Sequence, residues 1–129
     1  MTKIIVDASA WLEYFEDTEK GKAVAKMIES TDYEVFTPMS VIAEVIKITL
    51  QKTRDPEVAI EGLQQLSSFV SLTMESSVNA AYLYSKYRTK KNSFGMLDAF
   101  VVASAREIGA KILTFDNAFR QFKETIIPS

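Results

Sequence analysis

The chain has 129 residues, 47% hydrophobic and 25% charged, with a net charge of −2 and neither histidine nor cysteine. That excludes an imidazole general base, a Ser-His dyad, a thiolate nucleophile, a Cys/His zinc site and any disulfide. No apolar run approaches the ~18–20 residues of a membrane span and no signal-like region precedes the first apolar stretch, so the expectation is one soluble, cytoplasmic domain over residues 1–129.

Taken in chain order, Lys3–Asp7 reads as a strand ending in Asp-Ala-Ser, followed by a helix carrying Trp11, Leu12 and Phe15 and a second carrying Val24, Met27 and Ile28. Glu34–Thr37 is a short strand closed by Pro38, and Ser40 or a neighbour is placed to cap a helix running to about Lys52. Asp55-Pro56 starts another helix, since Asp at the cap and Pro at the first helical position suit a helix N-terminus. Phe69–Leu72 reads as a strand, Glu75–Arg88 as a long helix and Thr89–Ser93 as polar loop. Met96–Ile108 is a helix stopped by Gly109, Lys111–Phe115 a strand, Asp116–Phe122 a last helix and Thr125–Ile127 an edge strand. Apolar strands alternating with helices, without linker or repeat, predict an α/β fold: one three-layer α/β/α domain around a central, mainly parallel sheet. Such sheets bind ligands beyond the carboxyl ends of their strands, where the strand order switches.

Four acids stand out against this frame. Asp7 follows Ile4-Ile5-Val6 and could cap the first helix, but Ser9 can supply a cap in its place. Glu44 shares a helical stripe with Val41 and Ile48, where a carboxylate is costly unless paired; Lys47 offers a salt bridge, and a metal ion is the alternative. Asp98 aligns with Phe94, Val101, Val102 and Ala105, a lone acid in an apolar stripe, close enough to its helix start for a capping role as well. Asp116 follows Ile112-Leu113-Thr114-Phe115 and could cap the last helix, with the Thr114 hydroxyl able to point to the same edge.

Jointly, three acids at strand ends or helix starts and one on an inward helix face suggest an open cage for hard divalent cations such as Mg²⁺ or Mn²⁺. Two such ions can clamp the attacking and leaving oxygens of a phosphodiester, and metal binding acidifies water without any histidine. With four of 17 acids assigned to metal, the mildly acidic total does not exclude a polyanionic substrate.

These strings resemble the PIN-domain nucleases, and within them the short VapC-type toxins, over essentially the whole chain. Ile4-Ile5-Val6-Asp7-Ala8-Ser9-Ala10-Trp11-Leu12 resembles the family's opening, Ser40-Val41-Ile42-Ala43-Glu44-Val45 its second motif, Leu97-Asp98-Ala99-Phe100-Val101-Val102-Ala103-Ser104-Ala105 its third, and Leu113-Thr114-Phe115-Asp116-Asn117-Ala118-Phe119 its ending. Each string is weak alone; four in order at the right spacing are strong. The resemblance implies an Mg²⁺- or Mn²⁺-dependent endoribonuclease with Asp7, Glu44, Asp98 and Asp116 as metal-binding acids, Asp116 directly or through water. It also implies that Ser9 and Thr114 brace those acids or touch phosphate, that the chain forms a homodimer, and that an antitoxin protein neutralises it.

Lys86, Arg88, Lys90 and Lys91, with Tyr82, Tyr84 and Tyr87 nearby, read as a solvated charged face or as a rim for single-stranded RNA. Met39, Met74, Met96, Trp11, Tyr14 and Phe15 read as core or dimer surface. Three readings compete with the nuclease. A non-catalytic RNA- or partner-binding module would carry a degenerate site. A haloacid-dehalogenase-like phosphatase would need a second Asp where this chain has Ser9. A receiver domain would need a paired acid near the first strand and a late Lys.

Overall fold

In the computed structural model, which describes residues 1–129, β1 (Thr2–Val6) runs through the middle of a five-stranded, wholly parallel sheet. Ile4, Ile5 and Val6 are fully buried, as expected of a central strand covered on both faces. The sheet order is β3-β2-β1-β4-β5, with β2 at Tyr33–Pro38, β3 at Ser68–Val70, β4 at Lys111–Leu113 and β5 at Thr125–Ile126. Ile5 pairs in register with Phe36 on one side and Ile112 on the other. The chain therefore winds outward to β3, then returns past β1 to start β4, and the order switches between β1 and β4.

Six helices flank the sheet: α1 (Ala8–Glu16), α2 (Glu19–Ile28), α3 (Met39–Gln51), α4 (Pro56–Leu66), α5 (Met74–Tyr87) and α6 (Met96–Ile108). The expected α/β class with a parallel central sheet holds. No helix is long and apolar enough to cross a membrane. Three helices start as their sequences direct: Thr18, Asp55 and Thr73 accept from the Gly21, Glu57 and Ser76 amides, and Pro56 takes the first position of α4. Gly109 ends α6 with φ at 70°, a left-handed conformation that suits glycine.

Four local expectations change. Ser40 does not cap α3; Pro38 stands at that cap, β2 runs through it, and the Ser40 hydroxyl is enclosed without a partner. The third strand is Ser68–Val70, because pairing with β2 ends where Pro38 meets Val70. β4 stops at Leu113, so Thr114 and Phe115 continue past the sheet. Instead of a helix over Asp116–Phe122 there is a single 3-10 turn at Asn117–Phe119. The chain must reverse there to lay Thr125 beside Ile112, and it does so through tight bonds from the Phe122 amide and the Thr125 hydroxyl to the Phe119 carbonyl.

Trp11 ties the layers together. It is fully buried, stacks on Phe15 with ring centres 5.6 Å apart, and donates its indole N–H to Thr37 Oγ1 at 3.1 Å. Thr37 donates to Ser67 Oγ at 2.9 Å, which donates to the Leu63 carbonyl at 2.8 Å. One chain of satisfied polar groups thus links α1, β2 and the end of α4.

The α1–α2 turn is closely packed around Gly21. A Cβ on Gly21 would lie 2.1 Å from the Glu13 carbonyl oxygen, a backbone atom that no rotamer change moves. Gly21→Ala should therefore cost roughly 2–3 kcal/mol despite alanine's better helix propensity, read as a lower urea midpoint with an unchanged m-value.

Candidate active site

Asp7 leaves β1 at the switch point, with its amide bonded to the Leu113 carbonyl at 2.9 Å and its side chain 4% exposed. Its Oδ2 accepts from Thr114 Oγ1 at 2.8 Å, while Ser9 Oγ stands 3.5 Å from that oxygen and 3.1 Å from the threonine hydroxyl. The Asp116 amide donates to Thr114 Oγ1 and the Phe115 amide to Ser9 Oγ, both at 3.0 Å. Ser9 therefore clasps the end of β4 instead of capping α1, for which Asp7 is the cap residue without a side-chain capping bond. The Thr114 hydroxyl points to the shared edge as its strand position suggested, and both hydroxyls join the β1 edge to the β4 edge.

Glu44 is half-buried on α3 and forms no hydrogen bond or ion pair, so the alternative of a salt bridge to Lys47 is not realised, although the Lys47 charge still reaches it. Asp98 is half-buried at the third position of α6, and its Oδ2 accepts from the Gly95 amide at 2.8 Å. It serves the helix start after all, a role signalled by the glycine three residues before it. Asp116 also caps, accepting from the Ala118 amide at 2.9 Å.

The electrostatics bring these acids together. Burial pushes the Asp7 carboxyl up to about 7, against the pull of the Thr114 hydrogen bond, and the charges of Glu44 and Asp98 push it further. Burial likewise raises Asp98 to about 6, opposed by the Gly95 amide and reinforced by Asp116 and Glu44. Glu44 is raised by burial, with Lys47 lowering it and Asp116 raising it again. Asp7, Glu44 and Asp98 thus each feel other acids of the set, a pattern that clusters at functional sites.

As the side chains stand, no three carboxylates are arranged to hold a metal ion. The three aspartates are held by protein donors, and the longest arm, Glu44, is the one without any. The donor chemistry still fits a hard dication: only oxygen ligands, an enclosed Asp7 with hydroxyl partners and no cation, and mutual repulsion that positive charge would relieve.

The basic run is taken apart by the fold. Arg88 donates to the Phe94 carbonyl at 2.9 Å and lies over Tyr84, while Tyr87 packs edge-on against Phe122 at 4.9 Å, so these side chains stitch the 89–93 loop to the core. Lys86, Lys90 and Lys91 are exposed. Of the basic side chains, Lys47 is the one whose charge reaches the acids. Lys20 comes near from α2, over the Phe115 ring at 5.4 Å; no sequence pattern connects it to that edge.

The PIN domain family model matches residues 4–124. The chain belongs to the PIN domain family. Solved structures agree on the fold. VapC20 of Mycobacterium tuberculosis, described as a sarcin-ricin loop cleaving toxin, matches with a TM-score of 0.79 at 18% identity, covering 98% of this chain and 99% of that one. A toxin-antitoxin complex from Klebsiella pneumoniae matches at 0.75 and 12% identity, over 98% of each chain. VapBC2 from Rickettsia felis, bound to a promoter DNA fragment, matches at 0.74 and 10% identity, over 97% of this chain and 96% of that one. No curated protein matches this PIN domain significantly.

The raised Asp7 pKa makes a stability prediction for the metal-free PIN domain. A carboxyl shifted from 3.8 to about 7 stabilises the fold fully below the lower value and loses that contribution as pH rises through the higher one. Asp7→Asn, which keeps the acceptor for Thr114, should leave Tm unchanged near pH 4 and raise it by several degrees at pH 8 in EDTA. A thermal scan across that range checks it; a Tm lowered at pH 8 would contradict the assignment.

Proposed function

We propose that this PIN domain is a divalent-metal-dependent endoribonuclease that cleaves single-stranded RNA, and that it is the toxin of a toxin–antitoxin pair. The observation that carries the reading is that Asp7, Glu44 and Asp98 are each pushed up by burial and by a further acid of the set that includes Asp116, with Lys47 as the one cation whose charge reaches them. A fold likeness to a toxin described as cleaving the sarcin-ricin loop supports the substrate class, and likeness to toxin–antitoxin complexes supports the partner.

Mg²⁺ or Mn²⁺, held by these four carboxylates, would supply the charge that neutralises phosphate oxygens and acidifies water. The chain's own part is positioning. Thr114 and Ser9 fix one Asp7 oxygen. The Gly95 amide takes Oδ2 of Asp98 and the Ala118 amide takes Oδ1 of Asp116. Glu44, unbonded, is the arm that can swing to complete the set. Protons compete for the same oxygens, so metal affinity should fall as pH drops through the range of about 7 to about 6 given by Asp7 and Asp98.

The protein acts in the cytoplasm as a homodimer, with an antitoxin protein restraining it. Exposed Leu50, Val58, Met74 and Val78 provide apolar surface for such contacts. A cavity of about 220 Å³ between α1, α3 and α4, with an apolar wall of Leu12, Phe15, Val58 and Ala59 and a charged rim of Glu16, Lys52 and Arg54, would receive an amphipathic partner side chain.

The deciding experiment is cleavage of a mixed single-stranded RNA pool by wild type and Asp98→Asn in Mn²⁺, Mg²⁺ or EDTA. Cleavage should require metal and fall by about a hundredfold or more in the variant. Absence of both cleavage and Mn²⁺ binding by calorimetry would replace the nuclease with a non-catalytic RNA- or partner-binding module. Acyl-phosphate trapped on Asp7 would instead favour a phosphatase.

A further inference from the structure

A second polar site lies in the groove between α5 and α6. Asn79, Tyr82, Leu83 and Lys86 recur at the spacing that stacks side chains on one face of α5. With Ala103 and Arg106 of α6 they line a cavity of about 240 Å³. Leu83 and Ala103 are buried and form its floor. The polar groups above that floor keep hydrogen-bonding capacity to spare, although Lys86 lies over the Tyr87 ring at 5.3 Å and Arg106 over the Phe122 ring at 5.8 Å. Asn79 and Lys86 make no hydrogen bond or ion pair, and Tyr82 is a large ring 75% exposed. Arg106 bonds Glu124 Oε1 through Nε at 3.0 Å, which holds the guanidinium in place while both terminal nitrogens stay unbonded. Glu124 is the one carboxylate in this arrangement, and the arginine already neutralises it.

We propose that this groove is a nucleotide subsite, distinct from the carboxylate edge, that holds one unit of a single-stranded RNA. Phosphate meets the Arg106 fork and the Lys86 ammonium, a pairing suited to planar and point-charge recognition respectively. The base stacks on Tyr82, and the Asn79 amide offers both a donor and an acceptor to its edge. A cavity below the ~300 Å³ lower end of small-molecule pockets suits one unit of a longer chain better than a whole free ligand. The inference rests on RNA being the substrate and adds where the flanking chain is held. It also redraws the basic run: Lys86 works with Arg106, not with Arg88, which the fold uses internally.

The test is fluorescence anisotropy of a labelled RNA of roughly 12 nucleotides, inside the ~4–16 nucleotide footprint of single-strand grooves. It is measured in EDTA with the wild type and the double variant Tyr82→Ala, Lys86→Gln. Both side chains are exposed, so Tm should not move. The variant should bind about tenfold more weakly, with a salt slope smaller by ~0.7, the value for one phosphate on a single strand. Where metal supports cleavage, KM for that RNA should rise with kcat unchanged. Equal affinity and equal slope would overturn the proposal, as would a wild type that binds no RNA. Displacement of the RNA by AMP at matching affinity would assign the groove to a free nucleotide instead. A variant that sediments as monomer where the wild type is dimeric would make the face a self-interface. Because binding is read without cleavage, an inactive protein that still shows the affinity difference would overturn the nuclease and leave the subsite standing.

Discussion

The Thr114 hydroxyl bonded to Asp7 Oδ2 joins the two strands between which the sheet order reverses. Parallel strands on either side of a switch point send their loops to opposite directions, which opens a crevice at their carboxyl ends. Without a tie, the Asp7 and Asp116 segments would diverge there. Thr114 supplies it by donating to Asp7 and accepting from the Asp116 amide, and Ser9 repeats the connection to Phe115. Two hydroxyls therefore convert a gap in the strand order into a fixed rim.

That rim is costly to the fold. A buried carboxylate is disfavoured by lost hydration, and each further acid nearby adds repulsion. Asp7 carries both burdens, since it is enclosed and feels Glu44 and Asp98. Hydrogen bonds recover part of the cost for the aspartates. Helix geometry offsets more, because the N-termini of α1 and α6 bear partial positive charge where Asp7 and Asp98 sit. A fold selected only for stability would place apolar side chains at such positions, so these acids are a cost to the metal-free fold.

The helix starts divide in the same way. Away from the rim, Thr18, Asp55 and Thr73 cap α2, α4 and α5 in the ordinary manner. At the rim, α1 and α3 begin at Asp7 and Pro38 with no side-chain cap, and α6 begins at a glycine. Residues that would elsewhere end a helix neatly are replaced here by ones whose side chains serve the crevice or stand out of its way.

The sequence by itself determined the parallel α/β class and six of the seven helices it predicted, and it singled out the four acids. Those features are local: apolar runs, caps at Asp55-Pro56 and Gly109, and carboxylates set in apolar stripes are visible within a few residues. Tertiary structure decided what depends on partners distant in the chain. Ser9 is a clasp and not a cap because β4, 105 residues away, comes to lie beside it. The last helix shrank to one turn because β5 had to return along β4. Arg88 left the basic run for the Phe94 carbonyl, and Lys86 gained Arg106 from another helix. A side chain's type and spacing show what it can do; which neighbour it meets is set by strand order and register, because hydrogen bonds and charge coupling act only across a few ångströms.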